Sequence, residues 1–446
     1  MIGRFPWEPF PAGAPDPKGA DPLPLLVYRS AVTGADAYRS VRLALRREDG
    51  VLRVGNRFVP EGRYREVAFV AAGNAANSMA LAALSVLDET VTQGFLAGPE
   101  AVPPEIPFRG VRIEPGWGGA PDASAVVGAV REISERLRDS DLLLLLLSPG
   151  ALRALSTPPP GLTADELSSF LEAAHERGAG GREVGLVARV LGNTPLVPPI
   201  AADVETLAVE RGDGAAHVGG GPTVPVRSTE RVEARAALER LGLLAGLPES
   251  ARDRLSPGFG HGATDAATAR RPVVVAGPPD ALRAAADVTF EKGWTARLAA
   301  LEIRDRPTPA ADRFLELVES LARTERTGEG GRSKGLAAFA MLTLDRPEGT
   351  DEGPALVQFL EEAQRALRRR EMSVGLLRTS GTIGSPSMPA GGVVGAPSDP
   401  EAGTVPPRRA LPMRPGITDV GLLAVAVLPE HPSGTSTPPA AARRAT

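Results

Sequence analysis

The chain has 446 residues, room for two α/β domains at about 150 residues per domain, with a formal net charge of −4 and only 4% aromatic side chains. That balance leaves no basic footprint for nucleic acid and no polybasic patch for lipid. Cysteine is absent, which excludes disulfides and thiolate metal sites.

In chain order, residues 1–24 carry seven prolines and little apolar periodicity, and read as a disordered arm. "EVAFVA" predicts a strand that ends in a turn at Gly73. A helix is expected from about Asp122, with Val126, Val130, Ile133 and Leu137 on one face. It leads to "DLLLLLL", whose unbroken apolarity predicts a buried parallel strand. Thr163 and Glu166 form a T-x-x-E capping box ahead of Leu167, Phe170, Leu171 and Ala174, a helix that Gly178 should end. A further helix is expected near Thr229–Leu241, and residues 256–271 read as a linker. The first domain is therefore placed at 25–255 and the second at 272–428. In the second, "PVVVAGPPDALRAAADV" restarts the strand–turn–helix pattern. "AAFAMLTL" and "VGLLRTSG" supply strands around a helix carrying Leu356, Leu360, Ala363 and Leu367. A last strand starts near Val420, and 429–446 reads as a disordered tail. With no secretory leader at the N-terminus and a leucine run too short to span a bilayer, the expectation is a cytoplasmic protein without membrane or nucleic-acid partners.

Four loops have the composition of ligand-binding turns. Gly73 and Asn74 end a strand where backbone N–H groups and a helix start can receive an anion. Ser148 and Gly150 stand at the carboxyl end of the leucine strand, the edge where open α/β sheets bind ligands, although Pro149 between them offers no N–H. The glycine-rich stretch 211–225 holds Asp213 and Thr223, and the stretch 378–394 holds Thr379 and Gly381. For each the plain alternative is a structural turn or connector. His175, His217, His261 and His431 have no ligand partner at metal-site spacing.

Taken in order, "AAGNAANSMA", "DLLLLLLSPGALRALSTPPPGLTADE", "GGGPTVPVRST" and "TSGTIG…AGGVV" resemble the class II glycerate 2-kinases, whose C-terminal part is the MOFRL module. The resemblance runs from about residue 31 to residue 428. It implies a Rossmann-like N-terminal domain and a smaller MOFRL-like α/β domain. It also implies transfer of the γ-phosphoryl of ATP, with Mg²⁺, to the 2-hydroxyl of D-glycerate in the cleft between them. Departures fall where that chemistry sits. The family's Gly-Lys-Ala turn is Gly73, Asn74, Ala75 here, and its Ser-Gly-Gly-Gly-Ser loop is Ser148, Pro149, Gly150, Ala151, Leu152. The histidine of its His-Pro-x-Pro-Asp element is Gly118, and of its Arg-Lys-His-Leu-Ser segment the one surviving cation is Arg189. The two aspartates of its Thr-Asp-Gly-x-Asp-Gly loop are Ser380 and Ile383, and its closing Thr-Asn-Val-Asn-Asp element is reduced to Thr418, Asp419, Val420.

Losing one cation at a migrating phosphoryl group can cost ~10³-fold in rate or more. The expectation is thus a glycerate 2-kinase-like protein with impaired catalysis. Its ligand-binding candidates are Gly73, Asn74, Ser148, Gly150, Arg189, Asp213, Thr223, Thr379 and Gly381, and Asp213 is its one nominated metal carboxylate. Two alternatives stand beside it: an active hydroxy-acid kinase in which Arg153 or Arg189 replaces the lost lysines, and a non-catalytic small-molecule sensor or assembly partner.

Overall fold

A computed structural model of the chain describes residues 23–98, 111–114, 123–151, 157–179, 181–192, 202–212, 226–259, 272–327, 334–345, 352–367, 372–379, 391–394 and 419–429. Two helices, α1 (Leu23–Gly34) and α2 (Ala37–Ala44), precede an antiparallel meander of β1 (Leu45–Glu48), β2 (Val51–Val54) and β3 (Arg57–Pro60). Then follow β4 (Val67–Ala72), α3 (Ala76–Leu87), β5 (Val91–Ala97), β6 (Val111–Glu114), α4 (Ala123–Arg136) and β7 (Leu142–Leu147). A helical insertion of α5 (Ala164–Glu176) and α6 (Gly181–Leu191) leads to β8 (Asp203–Val209). Helices α7 (Ser228–Arg240) and α8 (Glu249–Arg254) complete that insertion before β9 (Val273–Ala276). The remainder comprises α9 (Pro278–Glu291), β10 (Thr295–Asp305), α10 (Pro307–Thr327), β11 (Gly335–Leu344), α11 (Glu352–Leu367), β12 (Ser373–Arg378), β13 (Gly391–Val394) and β14 (Leu422–Pro429).

The first sheet is parallel in the order β6-β5-β4-β7-β8-β9. Numbered within the sheet this is the doubly wound 3-2-1-4-5-6 arrangement, whose order reverses between β4 and β7. The six leucines of β7 are buried without interruption because both faces are covered. Leu142, Leu144 and Leu146 join the core that includes α2 and α3, while Leu143, Leu145 and Leu147 join the core under α4. The second sheet, β10-β11-β14-β12-β13, pairs β10 with β11 in parallel and is otherwise antiparallel. Its outer face carries Phe314 of α10 and Phe359 of α11, with ring centroids 6.5 Å apart.

The domain boundary differs from the one expected at 256–271. "VVVA" of β9 does not open the second unit; it pairs with β8 as the last strand of the first sheet. A short apolar run carries no mark of which sheet edge it will meet. The connection between sheets instead runs through α9, and α1, from the start of the chain, packs on α9 and on the second sheet. Gly34 lies so close to Ala284 that a Cβ would come within 2.4 Å of the alanine Cβ. Tyr28 Oη donates to the Arg378 carbonyl at 2.6 Å. One core is consequently shared by both sheets, from Phe69 of β4 to Phe339 of β11 and Val425 of β14. Helix α1 begins at Leu23, inside the expected arm, and Pro429 still belongs to β14; the rest of arm and tail lies outside the described residues. Among the described residues no helix is long and apolar enough to cross a membrane.

In the helical insertion each of three arginines closes the end of a neighbouring helix. Arg177 Nη1 donates to the Leu241 carbonyl at 3.0 Å, Arg231 donates to the Arg254 carbonyl, and Arg254 donates to the carbonyls of Leu191 and, at 3.0 Å, Thr157. The expected capping box is formed. The Thr163 N–H and hydroxyl donate to Glu166 Oε2 at 2.7 and 3.0 Å, and the Glu166 N–H donates to Thr163 Oγ1 at 3.2 Å. Those bonds, the backbone N–H first and the hydroxyl second, hold the Glu166 carboxyl below its ordinary range. A depressed folded-state value means that the stabilisation is present above the unfolded carboxyl's pKa of about 4.3 and is lost as pH falls through the lower folded value. Wild type should therefore exceed Glu166→Gln in urea midpoint at pH 7, and the gap should close as the same titrations are taken below about pH 4.

Candidate functional site at the carboxyl edge of the first sheet

The reversal point brings together the turns after β4 and β7. Gly73, at φ +109°, permits the β4 turn to lie against its neighbour: a Cβ there would stand 2.3 Å from the Ser148 carbonyl oxygen. The two turns are then laced together. The Gly73 N–H donates to the Ala97 carbonyl at 3.1 Å, the Asn74 N–H to the Pro149 carbonyl at 2.8 Å, and the Ala76 N–H back to Gly73 at 3.1 Å. Between them, the Ala75 N–H donates to Ser148 Oγ at 2.9 Å. Ser148 is fully buried, and its hydroxyl donates to the Ala72 carbonyl at 3.3 Å. These bonds give Ser148 the part of a structural turn residue, the plain alternative for this loop. Gly150, at φ +93°, lets the β7 turn close from the Ala151 N–H to the Ser148 carbonyl at 2.9 Å.

From the second sheet a carboxylate reaches this edge. Asp419, in the approach to β14, is fully buried. Arg211, beyond the end of β8, donates to both of its oxygens, Nε to Oδ1 at 2.9 Å and Nη2 to Oδ2 at 2.7 Å. The Asn74 amide donates to the same Oδ2 at 2.5 Å. Thr379 fixes the segment that carries Asp419. Its hydroxyl accepts from the Val420 N–H at 3.0 Å and donates to the Gly421 carbonyl at 2.7 Å, while its own N–H donates to that carbonyl at 3.0 Å. Asn74 thus touches Asp419 directly, while Thr379 holds the backbone on which Asp419 is carried.

Arg189 belongs elsewhere. Its side chain is 1% exposed and pairs with Glu230 of α7, and burial, partly offset by that carboxylate, pushes its guanidinium pKa down. It braces the helical insertion rather than the β4 turn. Asp213, Thr223, Gly381 and Arg153 lie outside the described residues. Among the described residues no group of three His, Asp or Glu side chains could hold a metal ion. A cavity of about 580 Å³, lined by Glu66, Gln93, Phe95, Glu132 and Arg136, opens at the opposite, amino edge of the sheet.

Sequence reasoning did not nominate Arg211, Asp419 or Asn77. Asn77, in the first turn of α3, is buried beside Gly98, and its Oδ1 has no hydrogen-bond partner among the described residues. No local pattern pairs Arg211, the first residue of the 211–225 stretch, with Asp419, since they are 208 residues apart. Gly73→Ala should cost about 3 kcal/mol or more, because left-handed strain adds to a backbone clash. Asn74→Ala removes one bond to a carboxylate that keeps its arginine and should cost about 1.5 kcal/mol. Urea unfolding of both variants checks this ordering.

Comparison with known proteins agrees with the α/β fold. Residues 25–256, more than half of the chain, match the family model described as Domain of unknown function (DUF4147). A glycerate 2-kinase of Pyrococcus horikoshii is 26% identical over 250 residues, 53% of this chain and 53% of the relative. A rat glycerate kinase is 28% identical over 205 residues, 41% and 39% respectively. The chain thus spans between about two fifths and half of the length of these curated relatives. The crystal structure of a Thermotoga maritima glycerate kinase superposes with a TM-score of 0.65 at 20% identity, covering 91% of this chain and 98% of that one. The PH0495 protein of Pyrococcus horikoshii gives 0.64 at 20% identity, with coverage of 92% and 98%. The chain belongs to the DUF4147 family.

Proposed function

We propose that this chain is a glycerate-kinase-type protein of the cytoplasm in which transfer of a phosphoryl group from ATP to the 2-hydroxyl of D-glycerate is impaired. One observation carries the reading. An anion-receiving turn works by presenting free backbone N–H groups, yet the N–H groups of Gly73, Asn74, Ala75 and Ala76 are all consumed inside the protein. The side chain that follows Gly73 is a neutral amide, and it is turned to Asp419.

Magnesium triphosphate fits the described residues poorly. Mg²⁺ is held through one or two carboxylates together with substrate phosphates, and Asp419, the buried carboxylate at this edge, is engaged by Arg211 and Asn74. The alternative of an active hydroxy-acid kinase with recruited arginines loses Arg189, which is paired with Glu230 in the helical insertion. A non-catalytic small-molecule sensor is the second reading, favoured by the closed Asp419 contact between the sheets.

The test is 2-phosphoglycerate formation by the purified chain from D-glycerate and ATP–Mg²⁺, run beside the Pyrococcus horikoshii glycerate 2-kinase. The expected rate is at least ~10³-fold below the relative's, with no saturable ATP binding in the micromolar range by calorimetry. Turnover at an ordinary kinase rate of about 1–100 s⁻¹ would overturn the impaired-enzyme reading.

A further inference from the structure

We infer that Arg211 and Asn74 form an oxyanion-binding subsite that Asp419 fills from within, so that the chain blocks its own anion site with a carboxylate from its second sheet. Three features support this. The contact has the geometry by which arginine recognises an external carboxylate or phosphate: two nearly parallel N–H bonds at 2.9 and 2.7 Å to separate oxygens. The Asn74 amide adds a third donor from a different turn, at 2.5 Å. These donors stand beyond β8 and β4 of the first sheet, at its carboxyl edge, whereas the acceptor arrives from the second. The ligand of the subsite is thus already present, covalently tethered to the other unit.

Tethering also explains why the subsite is closed. An internal carboxylate on a segment anchored by Thr379 has a high effective concentration, because its position is fixed before any external anion arrives. Arg211 retains 31% side-chain exposure while Asp419 has none, so the pair is open to solvent from the arginine side only. An external oxyanion would take the place of the Asp419 carboxylate and separate the approach to β14 from the β4 turn. The inference concerns anion binding and not phosphoryl transfer, so it stands or falls independently of the kinase reading.

Inorganic phosphate, titrated into the full chain at constant ionic strength and followed by calorimetry, provides the test. Asp419→Asn should bind phosphate about ten-fold or more tightly than wild type, and Arg211→Gln placed on the same background should abolish the gain. In Asp419→Ala, formate should raise the melting midpoint where an equal concentration of chloride does not, since formate refills the vacated position. Thr379→Val keeps Arg211, Asn74 and Asp419 and only loosens the anchor; it should tighten phosphate binding several-fold, and it decides the matter if the Asp419 variants fail to fold. A folded Asp419→Asn without tighter binding, a gain that survives Arg211→Gln, or no gain in Thr379→Val would overturn the inference. None of these readouts depends on turnover, so a silent glycerate assay leaves them unaffected.

Discussion

A carboxylate buried between two sheets has to be neutralised where it lies, and the Asp419 contact shows how this fold meets that requirement. An unpaired ion at full burial would cost several kcal/mol even after relaxation. Here the charge meets a guanidinium bidentately and an amide that shares Oδ2 with it, with the bearing segment fixed by Thr379. The bond set reaches across the two units in a way that the shared hydrophobic core does not. Apolar packing among α1, α9 and the two sheets tolerates small slides, whereas two oxygens bound by donors from separate loops set the distance between the sheets at the carboxyl edge.

The β4 turn depends on the same economy of polar groups. Because the Ser148 hydroxyl and the Pro149 carbonyl receive the N–H groups of Ala75 and Asn74, the two turns behave as one unit. Proline at 149 removes a donor but keeps its acceptor, and that acceptor is what the neighbouring turn uses. A segment with the look of an anion cradle has thereby become a joint between strands.

Much of the fold was legible because its signals are local. Unbroken leucines in β7, the T-x-x-E box at Thr163 and Glu166, and the α11 stripe of Leu356, Leu360, Ala363 and Leu367 each state a burial or capping requirement within a few residues. The meander β1–β3 was not legible, since its strands are only four residues long and Arg46, Arg47, Arg53 and Arg57 break up their apolar positions. Nor was the placement of β9, because an edge strand's partner is chosen by the tertiary fold and not by its own four residues. The site was legible only in part. Asn74 and Thr379 could be nominated from turn composition, but what joins them is Asp419, and its partner Arg211 lies in a different loop altogether.

The charge count at this contact explains why residue 74 is an amide. Arg211 and Asp419 already sum to zero, and the third member is half-buried beside a fully buried carboxylate. A lysine at 74, the residue that the resemblance to glycerate 2-kinases implies there, would leave the trio with a net positive charge where water has limited access. Such a site would demand an external anion, which is what a phosphate-handling turn is for. Asparagine keeps the donor and omits the charge, so the contact is complete without a ligand. The neutral side chain at 74 and the acidic one at 419 are on this view a matched pair: each would be costly without the other, and together with Arg211 they make a contact at the carboxyl edge of the first sheet that is complete without an external anion.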